Sequence, residues 1–280
     1  MGGLEKRDSI LSKTITLPRG IIDPRASVAR IRLNKYEPSR RLAPFVDHLW
    51  ICEWDLAGRP PEEQRVLPSP NAHLVIAPGY TSLYGVVRGI YGRQLRDTGN
   101  ALGVRFRSGG LRPFLSGPVA ALTDRTVAAK TLIGIEDRIA EAEVLGAGDD
   151  GEVVHAAQQL LEPLLPAPDL TVDLVCAIIA RARHNDGPRQ AKALADETGL
   201  SLRALQRLFH EYVGVSPKWV IRCFRLQEVA QRLAQGQELQ FARIAAELGY
   251  FDQAHLARDF TSLFGCPPAE YRRRQIIRTS

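Results

Sequence analysis

The sequence predicts an α+β chain, with a β-rich, antiparallel barrel- or sandwich-like first domain and an all-α second domain. The second domain holds two helix-turn-helix units joined by a linker helix. Three observations carry this reading. Short apolar runs separated by turn formers recur between residues 31 and 106. From residue 152 onward apolar residues keep helical spacing. A helix, a glycine turn and a second helix then occur twice, about fifty residues apart. A length of 280 residues suits two domains, each able to bury a core.

The elements follow in order. The start, Met1-Gly2-Gly3-Leu4-Glu5-Lys6-Arg7-Asp8, has no apolar signal region, and Lys6 stands where a myristoylation motif takes Ser or Thr. Strands are expected at Ile31–Leu33, Leu49–Trp54, Ala72–Ala77, Leu83–Val87 and Leu102–Phe106. In the second of these, Trp50, Cys52 and Trp54 alternate with Ile51 and Glu53, the period of a half-buried strand. No strand-then-long-helix alternation precedes residue 110, which argues against a doubly wound sheet. Residues 146–151 read as a flexible polar break. After it, Val153, Ala157, Leu160, Leu161 and Leu164 give residues 152–165 one apolar helical face, closed by Pro166-Ala167-Pro168. That face suits either a homodimer contact or packing on its own domain. The expected division is 1–150 for the β-rich domain, 151–168 for a helical linker and 169–280 for the helical domain.

The helical part is the informative one. Residues 190–198 read as a short helix with Ala191, Leu194 and Ala195 inward; Gly199 turns the chain, and Ser201 caps a second helix. That helix places Leu202, Leu205, Leu208 and Phe209 inward, with Arg203, Gln206 and Arg207 on a different face. Arg and Gln make paired hydrogen bonds to guanine and adenine edges. A longer helix follows from Pro217 to Ala234, with Val220, Ile221, Phe224, Val229 and Leu233 among its apolar positions. The pattern then returns: Phe241, Ile244, Ala245 and Leu248, a turn at Gly249, and Asp252 capping a helix with Leu256, Phe260 and Leu263 inward. The outer side of this helix offers Gln253, Ala254, Ala257 and Arg258.

Residues from about 170 to 275 resemble the AraC-type DNA-binding domain. The carrying residues are Leu205-Gln206-Arg207-Leu208-Phe209, Gly214-Val215-Ser216-Pro217 and Arg225-Leu226 in the first unit. In the second they are Ile244-Ala245, Leu248-Gly249-Tyr250, Asp252, Ala254-His255-Leu256, Arg258, Phe260, Phe264-Gly265, Pro267 and Tyr271-Arg272. Cys266 and Val220 depart from the usual residue types, with Trp219 just before Val220. The resemblance implies that both second helices enter successive major grooves, about one turn (~34 Å) apart. Carried over by position, Arg203, Gln206, Arg207, Gln253, Ala254, Ala257 and Arg258 would read bases. Ser201, Ser216, Lys218, Trp219, Arg222, Asp252, Arg272 and Arg273 would hold phosphates. Arg225 reads as an internal ion-pair partner and His255 as a structural hydrogen bonder beside the capping turn.

Residues 36–145 resemble, less specifically, a sensor-like domain that precedes this DNA-binding type in many bacterial regulators. The matching words include Leu42-Ala43-Pro44-Phe45-Val46, Trp54-Asp55-Leu56, Val66-Leu67-Pro68 and Gly103-Val104-Arg105-Phe106-Arg107. The resemblance supplies no agreed ligand. Trp50, Trp54, Tyr84, Phe106 and Phe114 are a candidate ligand pocket, with core packing as the alternative. His48 with Asp47, and His73 after Asn71, are weighed as a metal or acid–base cluster and set aside in favour of core or rim roles.

Composition and motifs exclude the remaining classes. Leu174–Ala180 is far shorter than the ~20 apolar residues of a membrane span. Cysteines at 52, 176, 223 and 266 form no C-x-x-C pair, so no zinc site or disulfide framework is expected, and reduced cysteines suit the cytoplasm. No catalytic or phosphate-loop motif is present, and no metal or cofactor is expected. The net charge of +6 is mild; residues 169–280 carry 16 basic and 12 acidic side chains. The expected function is therefore a cytoplasmic bacterial transcription regulator, with activation as the expected mode. Its expected partners are double-stranded DNA, a small-molecule effector, RNA polymerase and a second copy of the chain, with no membrane. Two alternatives are kept: an enzyme fused to a DNA-binding module, and a ligand-independent regulator whose first domain only assembles.

Overall fold

A computed structural model describes residues 31–184, 186–234 and 240–276. The reading of residues 1–8 lies outside them. The first part contains strands β1 (Ile31–Tyr36), β2 (Val46–Asp55), β3 (Glu62–Val66), β4 (His73–Ala77), β5 (Tyr80–Tyr84), β6 (Tyr91–Leu95), β7 (Thr98–Phe106) and β8 (Thr126–Ala128). Six of them form an antiparallel sheet in the order β1-β2-β7-β4-β5-β8, and β3 pairs with β6 as a separate ribbon. The ribbon prolongs the β2–β7 pair. Pairing stops at Asp55 opposite Thr98 and resumes at Glu62 opposite Leu95.

Alternation divides the sheet's residues between two faces. Leu49 and Ile51 of β2, Leu74 and Ile76 of β4, Leu83 of β5, and Leu102, Val104 and Phe106 of β7 share one buried core. Helices α1 (Ala129–Ile133), α2 (Asp137–Ala140) and α3 (Asp150–Leu161) supply Ala129, Ala140, Val154, Ala157 and Leu161 to the same core. The Asp149 carboxylate caps α3, accepting from the Gly151 and Glu152 amides at 2.8 and 3.0 Å. Asp150 then accepts from Arg32 at 2.5 and 2.7 Å, from Asn34 at 3.0 Å, and from the Tyr36 hydroxyl. That clasp fastens the edge strand β1 to α3. The buried face of α3 is therefore turned onto its own sheet.

The second part runs α4 (Leu170–Arg183), α5 (Ala191–Glu197), α6 (Leu202–Tyr212), α7 (Pro217–Ala234), α8 (Phe241–Glu247), α9 (Gln253–Phe264) and α10 (Pro268–Ile276). α7 serves two cores from two faces. Val220, Ile221 and Phe224 pack with Leu194, Ala195, Leu205 and Phe209 of the first unit. Cys223, Leu226, Val229 and Leu233 pack with Ile244, Leu256, Phe260 and Leu263 of the second. Gly199 and Gly249 take φ of 70° and 76°, the left-handed conformation that ends α5 and α8 and sets each turn.

Several expectations change. Residues 129–133 and 137–145, inside the expected β-rich domain, are helical, and strands β3, β6 and β8 were not expected. The strand expected at Leu83–Val87 ends at Tyr84, and the Gly85 backbone that follows lies directly against Leu122. Asp149 and Asp150, read as part of a flexible break, start α3 instead. Leu202, expected inward, is 38% exposed as the first residue of α6.

Candidate nucleic-acid interface

Each unit presents one capped helix to solvent. The Ser201 hydroxyl accepts from the Ala204 amide at 3.1 Å, and the Asp252 carboxylate accepts from the His255 amide at 2.7 Å. Both helix starts are thereby pinned, and the amphipathic pattern decides what each shows outward. On α6 the exposed side chains include Arg203, Gln206 and Arg207, opposite buried Leu205 and Phe209. On α9 they include Gln253, Ala254 and Arg258, with Ala257 half-buried, opposite buried Leu256, Phe260 and Leu263.

Charge pairing separates these arginines from their neighbours. Arg181 bonds Glu197 at 2.7 Å, Arg243 bonds Glu247 at 2.9 Å, and Arg232 pairs with Glu228. Among the described residues no acidic side chain pairs with Arg203, Arg207, Arg258 or Lys218. Their cationic ends are free to meet an anion.

The residues expected to hold phosphate divide into two groups. Lys218 and Arg273 are exposed, and so are the caps Ser201, Ser216 and Asp252. The Ser216 hydroxyl accepts from the Trp219 amide at 3.2 Å, a cap for the start of α7. Trp219 itself is half-buried against both helical cores, and its indole N–H has no hydrogen-bond partner. Arg222 turns inward, 3.5 Å from Asp259 of α9. Asp259 also accepts from the Tyr250 hydroxyl at 3.2 Å, so the three side chains tie α9 to α7. Arg272 is half-buried, its Nε shut away from solvent. Arg225 is 3% exposed; it donates to the Gly187 carbonyl at 2.7 Å and the His184 carbonyl at 3.2 Å, with Glu228 at 3.6 Å. Burial lowers its pKa, opposed by Glu228. His255 bonds through its backbone, while its ring meets Tyr250 edge-on at 5.1 Å.

The five aromatic residues proposed as one pocket lie on opposite faces of the sheet. Phe106 and Phe114 belong to the helix-covered core, their ring centroids 5.7 Å apart. Trp50, Trp54 and Tyr84 lie on the other face with Tyr80, Val75, Ala77 and Ala101. Strand register explains the two tryptophans. Trp50 stands opposite Gly103 and Trp54 opposite Gly99, and a Cβ at either glycine would run into the indole. The Arg93 guanidinium lies 4.8 Å over the Tyr80 ring, and Tyr84 meets Tyr91 at 5.6 Å. The Tyr80 hydroxyl is buried without a hydrogen-bond partner. Burial pushes the Cys52 thiol on this face up to about 11. The weighed acid–base cluster meets here too, but with Arg105 opposite both His48 and His73 in the strand register, a cation stands between them.

Contacts between the two parts were not legible beforehand. The Thr123 hydroxyl donates to the Gly214 carbonyl at 2.5 Å, and Arg112 bonds Glu211 at 2.6 Å. Gln227 of α7 donates to the Pro68 carbonyl at 2.7 Å. Val86 is buried in the first unit's core and Leu67 packs against the second's.

Comparison with known proteins bears on this geometry. Residues 34–128 match a domain of unknown function (DUF6597), and residues 194–274 match the helix-turn-helix domain family. Over 87 residues the chain is 31% identical to the multiple antibiotic resistance protein MarA of Salmonella typhimurium, covering 31% of this chain and 68% of MarA. The chain belongs to the AraC-type family of transcriptional regulators. A second match is an uncharacterized HTH-type transcriptional regulator of Haemophilus influenzae, 31% identical over 122 residues, 42% of this chain and 40% of that protein. The chain thus spans less than half the length of that relative. Among solved structures, an AraC-type regulator from Chromobacterium violaceum is 26% identical, covering 38% of this chain and 88% of that one, with a TM-score of 0.31. Among the described residues no helix is long and apolar enough to cross a membrane.

Proposed function

We propose that this AraC-type regulator binds duplex DNA sequence-specifically, with α6 and α9 in successive major-groove segments about one helical turn apart. The observation that carries the reading is the pair of exposed outer faces on capped helices sharing one linker helix. Arg203, Gln206 and Arg207 read one half-site; Gln253, Ala254, Ala257 and Arg258 read the other. Lys218, Arg273 and the amides at the starts of α6, α7 and α9 hold phosphates. Trp219, Arg222 and Arg272 keep α7, α9 and α10 in place. We assign α3 to the first domain, because Val154, Ala157 and Leu161 lie in its core, and put the division within 165–169.

Control by a small molecule belongs to the aromatic face of the sheet. Trp50, Trp54, Tyr80 and Tyr84 offer flat apolar surface, Arg93 a cation over a ring, and the Tyr80 hydroxyl a hydrogen bond. A flat, apolar compound with one polar group suits that lining. Thermal-shift screening with a parallel DNA-affinity measurement tests it: saturable stabilisation coupled to altered affinity is expected.

Arg207→Ala tests the reading face. The variant is expected to lose about 1–3 kcal/mol of DNA affinity and to relax specificity at one base pair. Unchanged affinity and unchanged site preference would assign the face elsewhere. Genome-wide mapping of bound sites supplies the duplex for both measurements.

A further inference from the structure

Phe251 is 95% exposed, while Leu256, Phe260, Leu263 and Phe264 of the helix it precedes are buried. A difference in turn length explains its position. In the first unit the chain passes from Gly199 through Leu200 to the cap Ser201. In the second it passes from Gly249 through Tyr250 and Phe251 to the cap Asp252, one residue more. An apolar residue just before a cap ordinarily packs against the fourth residue of the helix. Leu200 follows that rule, lying against the core that holds Leu205. In the second unit Tyr250 takes this place instead. It packs on the core that holds Leu256, its ring meets His255, and its hydroxyl bonds Asp259. The extra residue is left facing outward at the start of α9, beside exposed Gln253 and Ala254.

We propose that Phe251 is a further specificity-determining residue, its ring packing on thymine methyl groups in the second half-site. The inference rests on the assigned reading face and adds a residue to it. The start of a reading helix is the end that enters the major groove. The thymine C5-methyl is the apolar group displayed on that groove's edge, and Phe is among the side chains that contact it. The neighbouring Asp252 carboxylate is held by the His255 amide at 2.7 Å, which directs it toward its own helix. The ring is thus the largest apolar member of a reading surface in which Gln253 and Arg258 supply the hydrogen bonds and Ala254 and Ala257 are small.

The test uses the full chain and a duplex selected from a random-sequence pool, with each thymine of the second half-site exchanged singly for uracil. At one or two positions the exchange is expected to weaken binding by the native chain about fourfold, the factor for one buried methyl. Phe251→Ala is expected to weaken binding to the thymine duplex at least as much, and to bind thymine and uracil duplexes alike. A native chain indifferent to every exchange overturns the proposal. So does a selected half-site without thymine, or a variant that loses the same factor on both duplexes. Phe251 is exposed, so the variant's thermal unfolding should match that of the native chain. Arg207→Ala is measured beside it. If that variant weakens and Phe251→Ala does not, this inference alone fails; if Arg207→Ala has no effect, the reading face fails.

Discussion

His73 lies in a row across three strands, because the register places both His73 of β4 and His48 of β2 opposite Arg105 of β7. The Trp50 ring meets its imidazole at 6.5 Å. Burial pushes the imidazole pKa from 6.5 down to about 3; Arg105, His48 and Lys35 act in the same direction, and Asp47 opposes them. Protonation therefore favours the unfolded chain, where the imidazole titrates at its ordinary value. Stability from this group is whole above pH 6.5 and declines as pH falls below it, at up to about 1.4 kcal/mol per pH unit. Urea unfolding between pH 8 and pH 4.5 should show that decline, and His73→Gln should flatten it. An unchanged slope in the variant would mean that the imidazole takes up its proton within the fold. Asp47 sits beside the same row, 3.0 Å from His48 and 3.5 Å from Arg105, and the His48 hydrogen bond is the first cause of its lowered pKa.

At the scale of elements, the α3 clasp sets the shape of the first domain. The hydrogen bonds from Arg32 are the first cause holding the Asp150 carboxyl well below the usual carboxylate range, aided by Tyr36 and Asn34. Its contribution is present above the ordinary carboxylate pKa near 3.8 and is lost as pH falls below it. Asp150→Asn should cost about 1–2 kcal/mol at pH 7, less than a buried charged hydrogen-bond network because Arg32 is half exposed. The loss should begin to shrink only as pH falls below 3.8, and chemical denaturation of the two proteins should converge only once the pH has passed below the lowered pKa of the folded carboxyl. The clasp was not legible in the sequence, because Arg32 and Asp150 are distant in the chain and only the folded sheet brings them together. The same reason hid β3 and β6. Glu62-Glu63-Gln64-Arg65-Val66 has little apolar alternation, and its strand exists through pairing with Tyr91–Leu95. The caps Ser201 and Asp252, the turns at Gly199 and Gly249, and the span of α7 were legible, since each is set by residues within one or two turns of itself. Outward positions on α6 and α9 follow from the same periodicity. The inward turn of Arg222 does not, because its partner Asp259 comes from another helix.

At the scale of the whole molecule, the two parts share cores. Val86 of the sheet domain completes the first unit's core, and Leu67 packs against the second's. Polar ties flank both. Thr123 donates to the Gly214 carbonyl, Arg107 bonds Asp173 at 2.7 Å, and Gln227 donates to the Pro68 carbonyl. The first domain therefore touches the end of the first helix-turn-helix unit and the middle of the linker helix at once. Domains joined only by a linker unfold independently, whereas domains that complete each other's cores lose stability together. Calorimetry of the native chain is accordingly expected to show one transition with calorimetric and van't Hoff enthalpies in agreement. Combining Val86→Ala, Thr123→Val and Gln227→Ala removes one buried apolar contact and two hydrogen bonds, together worth about 3–5 kcal/mol at the seam. The variant should melt in two transitions, with circular dichroism assigning one to the helical half. Under the proposed control at the aromatic face, this seam is the physical path from that face to the proposed reading helices. The same variant should therefore bind DNA with an affinity that no longer responds to any compound stabilising the sheet domain. Two transitions in the native chain would show that the shared cores do not join the halves thermodynamically. A single transition kept in the variant would show that Val86, Thr123 and Gln227 are not what joins them, leaving the coupling to contacts such as Leu67 and the Arg107–Asp173 and Arg112–Glu211 pairs.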